Sequence, residues 1–184
     1  MMRLTQLVIV ALALAWPGGS LLAETVPPPR DIGCIEIKDL EPDYTARELA
    51  GAVRSCVEAE RHGAAVGLFL AYNSTAMFDQ QRVRDETAHV VVQELNGWIF
   101  SGYSRAQIDA LKHYVTLFRS GEGDYFETVC KGLRDADPPD YRPSYMIVRG
   151  QMPRKHAEDW AVEGFDPQEA WNVAVSGING CPAF

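Results

Sequence analysis

Downstream of residue 44 the chain follows a helical period, with apolar residues three and four apart and polar residues between them. Thr45 and Glu48 form a T-x-x-E capping box, and Leu49, Ala52, Val53 and Cys56 follow on one face, which predicts a first helix over about residues 46–60. His62 and Gly63 break that pattern, and a second apolar run, Ala64 to Tyr72, begins at once. Two helices joined by about three residues fold back antiparallel. Asn73 and Ser74 interrupt or cap the second helix, and a long pattern from Asp79 to Phe100 carries Val83, Ala88, Val91, Leu95, Trp98 and Ile99. Ser104 with Gln107 is a second capping box, opening a helix with Ile108, Leu111, Val115 and Phe118 on its core face, which Gly121 and Gly123 stop. A fifth helix, Asp124 to Arg134, presents Phe126, Val129, Cys130 and Leu133. Asp166, Pro167 and Glu169 supply the N-cap, the N1 proline and the N3 acid of a sixth, which carries Trp171, Ala174, Val175 and Ile178.

Two stretches fall outside this period. Cys34 to Leu40 alternates apolar and polar residues; one such segment cannot build a sheet, so it is expected as an extended strap over helices. Asp135 to Phe165 holds four prolines and no sustained periodicity, and a loop that long within a compact domain is usually functional or mobile. The expected fold is all-α: roughly six helices in antiparallel pairs with an N-terminal extended strap, forming a single domain over residues 32–184.

The N-terminus changes the compartment. Arg3, the apolar run Leu7 to Ala15 and the small residues Ser20 to Ala23 read as a cleaved export signal over residues 1–23, followed by a proline-rich tether over 24–31. The apolar run is too short to cross a hydrocarbon core of about 30 Å, so no membrane span is expected. In an exported chain the even set Cys34, Cys56, Cys130 and Cys181 predicts two disulfides. Their separations do not suit zinc, and Cys34 stands too far behind the apolar run to be lipid-modified. Three connectivities are open; shorter loops favour Cys34 with Cys56 and Cys130 with Cys181. Against 17 basic residues stand 25 acidic ones, a net charge of −8, which argues against nucleic acid or an anionic bilayer as partner and towards a basic or neutral protein.

Candidate chemistry is sparse. Glu86 and His89 stand at i, i+3, a spacing that can line one helix face with metal ligands, but a di-metal site needs a second such pair, so His89 is expected as an ordinary helix histidine. His113 follows Asp109 by four residues, which suits a simple surface pair. There is no G-x-S-x-G elbow, and GEGD at Gly121 to Asp124 carries acids that repel phosphate. No catalytic residue, metal or cofactor is assigned, and the chain is not expected to be an enzyme. The long loop has another character: Asp135, Asp137 and Asp140 bracket a double proline, and Tyr141, Tyr145, Met146, Met152 and Trp160 follow. Acids beside aromatics in a proline-stiffened loop suit a protein-binding surface. Asp135, Asp137, Asp140, Tyr141 and Tyr145 are the candidate partner-binding residues; the competing expectation is that Tyr141, Tyr145 and Trp160 fold inward and pin the loop to the helices.

The stretch VEAERHGAAVGLFLAYNSTAMFD, Val57 to Asp79, resembles one tetratricopeptide or Sel1-like helix pair. Four segments together, Asp31 to Leu40, the helix pair ending Phe78 to Val83, Pro138 to Ile147, and Glu163 to Asp166 with the following Ala170-Trp171 and Cys181, look like a family of small exported proteins of Gram-negative bacteria. Such proteins are similar to periplasmic immunity proteins that protect a cell against toxins delivered by type VI secretion, lipase and phospholipase effectors included. The resemblance implies a periplasmic location, a secreted hydrolase as partner and inhibition by occlusion of its active site. The alternative is a periplasmic helical-repeat adaptor with an endogenous partner.

Overall fold

A computed structural model describes residues 29–151 and 159–182. The expected export signal at residues 1–23, the first part of the expected tether and Met152 lie outside the described residues. Among those described the protein is all-helical, with seven α-helices and no strand: α1 Ala46–Glu58, α2 His62–Arg82, α3 Val90–Ile99, α4 Arg105–Arg119, α5 Gly123–Asp135, α6 Ser144–Ile147 and α7 Pro167–Asn179. None of them is long and apolar enough to cross a membrane.

The caps fix the helix starts. Thr45 Oγ1 accepts the Glu48 N–H at 3.2 Å while Glu48 Oε2 accepts the Thr45 N–H at 2.9 Å, and Ser104 with Gln107 repeats the arrangement at the start of α4. Asp166 Oδ1 accepts the N–H groups of Gln168 and Glu169 and opens α7 behind its N1 proline. The turn from α1 to α2 is closed by Glu60, which takes φ 57°, and the two helices run antiparallel.

α2 is the hub. It packs against α1, α4 and α7, and its buried residues, Ala65, Leu68, Tyr72, Thr75, Phe78 and Asp79 among them, go round the whole helix rather than along one stripe. This overturns the expected interruption at Asn73 and Ser74. Ser74 and Thr75 are buried mid-helix, because packing on every side outweighs their weak intrinsic preference for turns. The single helix expected from Asp79 to Phe100 is likewise two. Val83 leaves the helix in an extended conformation and forms an isolated bridge with Ala161; Arg84 N–H donates to Trp160 O and Val162 N–H to Arg82 O, both at 2.9 Å. Asp85 Oδ1 then accepts the Thr87 N–H and starts a 3-10 turn, Glu86–His89, which leads into α3.

The strap is only partly extended. Ile37–Asp39 coil into one 3-10 turn closed by Asp39 N–H on Glu36 O at 2.9 Å, and this turn presses Ile37 onto glycines of α2 and α5. The disulfides are Cys34–Cys56, tying the strap to α1, and Cys130–Cys181, tying α5 to the chain after α7.

Candidate functional site

The candidate residues of the long loop separate into two groups. Asp135, Asp137 and Asp140 are exposed; Asp135 is ion-paired with Lys131 one turn back, and the Asp140 N–H donates to Pro42 O at 3.0 Å, holding the loop against the chain entering α1. Tyr141 and Tyr145 turn inward. Each hydroxyl donates to Asp79 Oδ2 at 2.7 Å, while Arg82 Nε donates to Asp79 Oδ1 at 2.9 Å. The Arg82 guanidinium lies 4.8 Å from the ring centroids of both Phe78 and Tyr141 and 5.8 Å from that of Trp160. Asp79 has no solvent exposure, and its burial pushes the carboxyl above the ordinary range, against the pull of the Arg82 charge and the two hydroxyls. Burial, with that carboxylate as second cause, lifts both tyrosine hydroxyls as well. The cluster is a latch. It fixes the loop to the hub helix and leaves the aspartates as the loop's outward face.

Beside the latch lies a groove of about 760 Å³ that the sequence pattern did not single out. One side is α1, which contributes Arg47, Gly51, Ser55 and Glu58; the other is α3, with Val91, Glu94, Leu95 and Trp98. Both sets recur at helical spacing, so each helix offers one stripe. The segment before the strap, Arg30 to Ile32, and, from the loop, Tyr145, Val148 and Arg149 close the remaining sides. A Cβ added at Gly51 would meet nothing within 4 Å, so the middle of the α1 side is open space. Trp98 is 47% exposed at the rim, its ring under the Arg54 guanidinium at 5.0 Å. Arg54 Nη1 donates to the Trp98 carbonyl at 2.7 Å and to the Ser101 carbonyl at 3.0 Å, capping the end of α3.

Most charges of the groove are engaged with one another. Arg30 Nε donates to Glu48 Oε1 at 2.8 Å and its Nη1 to Asp43 Oδ2 at 2.8 Å, so this tether residue is clamped to α1. Burial alone would raise the Glu48 carboxyl; donors from the Arg30 side chain, from the Thr45 and Arg30 backbone and from the Thr45 hydroxyl outweigh it and hold the group at about 2. Arg149 is ion-paired with Glu94. Arg47 and Glu58 have no ion-pair or hydrogen-bond partner among the described residues. His89 lies outside the groove, its Nε2 3.1 Å from Val83 O. Among the described residues no three histidine, cysteine, aspartate or glutamate side chains converge as a metal site.

Sequence reading missed the groove because its residues come from four separate stretches, and because Trp98 falls on the apolar stripe of a helix, where a buried position is the default. The available signal lay in Arg47 and Glu58, each at the end of α1 where the helix dipole disfavours its charge. No family model, no curated protein and no solved structure matches the chain.

Proposed function

We propose that this protein acts by binding: it is a periplasmic immunity protein that occludes the active site of a secreted antibacterial hydrolase, of the lipase or phospholipase kind that its sequence resemblance implies. The observation that carries the binding reading is the groove between α1 and α3, an open trough with a half-exposed tryptophan at its rim. Aromatics of this kind supply large contact area at small entropic cost and are enriched where proteins bind one another. Its neighbouring charges Arg30, Glu48, Glu94 and Arg149 are spent in ion pairs that shape the walls, an arrangement suited to a rigid receptor. The exposed Asp137 and Asp140 lie on the same loop as Tyr145, Val148 and Arg149, which wall the groove, and offer negative charge that complements a cleft built for anionic substrates.

The test uses oxidised protein beginning at Glu24 as bait in periplasmic and secreted fractions of its native cell. The expected result is capture of a secreted hydrolase whose activity falls to baseline at one equivalent of the bait. Replacing Trp98 with alanine, or Asp137 and Asp140 with lysine, should weaken that inhibition at least tenfold. A captured hydrolase that keeps its activity, or capture of envelope housekeeping proteins alone, sinks the inhibitor reading and favours the adaptor.

A further inference from the structure

Among the described residues the groove charges without an ion-pair or hydrogen-bond partner are Arg47 and Glu58, eleven residues apart on α1. Eleven steps of about 100° return to within about 20° of the same face, and at a rise of about 1.5 Å per residue the two positions are roughly 16 Å apart along the axis. Both line the groove, one near each end of α1, with Gly51, Ala52 and Ser55 between them. The groove therefore holds an unpaired positive charge near one end and an unpaired negative charge near the other, with Val91 and Leu95 facing the space between them; Arg54, one turn from Glu58, is turned onto the Trp98 and Ser101 carbonyls. A roughly 16 Å span matches about five residues of extended chain.

Local stability does not account for these charges. A helix favours acids in its first turn and bases in its last; Arg47 in the first turn and Glu58 in the last are both reversed. Groups that break a local rule without a visible compensation mark places where something other than the fold sets the residue.

We propose that the groove receives an extended protein segment of about five residues with opposite charges at its two ends, a carboxylate set against Arg47 and a basic side chain against Glu58, and an apolar residue between them over Gly51. The partner is thus a polypeptide presenting a short extended segment of alternating charge sign. The inference rests on the groove being the binding surface proposed above and adds the chemistry of what it takes.

End-capped pentapeptides with an Ala-Leu-Ala centre and either lysine and glutamate, two lysines or two glutamates at their ends test this by calorimetric titration against the oxidised protein. The lysine–glutamate peptide should bind at least tenfold more tightly than either like-charged peptide. Arg47→Glu should shift the preference to the two-lysine peptide and Glu58→Lys to the two-glutamate peptide; the double variant should again prefer the bipolar peptide, laid the other way. Arg47→Gln and Glu58→Gln should each raise the urea midpoint while lowering the bipolar peptide's affinity, a combination that a merely structural charge does not give. No measurable binding of the bipolar peptide, a preference that ignores these variants, or lowered midpoints in both glutamine variants would overturn the proposal. So would self-association of the protein that Arg47→Glu abolishes, which would give the groove to a second copy. If the peptides behave as stated and no hydrolase is inhibited, the groove chemistry stands and occlusion falls. If a hydrolase is inhibited equally by the wild type, Arg47→Glu and Glu58→Lys, occlusion stands and the groove chemistry falls.

Discussion

Glu48 shows how much one side chain can be asked to do. Its two carboxylate oxygens close the capping box of α1 and hold Arg30, and through Arg30 the groove wall formed by residues 29–32. The folded carboxyl sits at about 2 against an ordinary 4.5. Because the folded value is depressed, the associated stability is fully present above about pH 4.5 and is lost as pH falls towards 2. Glu48→Gln should therefore be less stable than wild type at neutral pH, with the gap closing between pH 4.5 and 2. Urea midpoints of both proteins across that range check it; a gap that stays constant with pH would show that the carboxylate charge is not what matters. Half of this arrangement was legible in the sequence. Thr45 and Glu48 announce themselves by their spacing, since a capping box is a local device. The Arg30 contact joins residues 18 apart and came from a stretch whose prolines read as a tether, so no periodicity could point to it.

At the scale of elements, the loop after α5 and the hub helix are held together by an interaction that neither encodes alone. Asp79 and Arg82 are both buried, and each is tolerable only because the other is there. Replacing Asp79 with leucine leaves a buried guanidinium uncompensated and should cost about 3–5 kcal/mol. The double replacement Asp79→Leu with Arg82→Met should recover only part of that loss: it removes the buried charge, but the Tyr141 and Tyr145 hydroxyls lose their acceptor. Tyr141→Phe and Tyr145→Phe should each cost about 1–2 kcal/mol, the worth of a hydrogen bond to a charged acceptor less some relaxation. Chemical denaturation of these four variants and of Arg82→Met alone measures all of this; a loss in the double variant equal to the sum of the two single losses would show that the pair is not coupled. The inward turn of the tyrosines was one of two expectations the sequence left open. What decided it was Asp79, which in sequence is just another polar residue near the end of an apolar run. The continuation of α2 past Asn73 and Ser74 was hidden for the same reason: a helix buried on every side has no polar stripe to give it away.

For the whole molecule, the two disulfides close loops of unequal length and unequal consequence. Cys34–Cys56 spans 22 residues and Cys130–Cys181 spans 51, so chain entropy assigns them about 3 and about 4 kcal/mol. A domain of this size is typically stable by about 5–15 kcal/mol, so loss of either bridge should leave the protein folded in the absence of denaturant. Stability and binding should then part company. The longer bridge ties α5 to the chain after α7, and neither helix lines the groove; the shorter one anchors the chain two residues beyond Ile32, the end of the segment 29–32 that forms a groove wall. Replacing Cys130 and Cys181 with alanine should lower the unfolding midpoint more while leaving the affinity for partner or peptide within about twofold. Replacing Cys34 and Cys56 should lower the midpoint less and weaken binding several-fold. The weakening stops short of abolition because Arg30 on Glu48 and Ile37 against α2 and α5 still hold the strap on either side of the missing bridge. Parallel urea titrations and binding isotherms of the two variants decide the matter: equal losses of affinity, or a loss confined to the longer bridge, would mean that the segment 29–32 is not a working wall of the site.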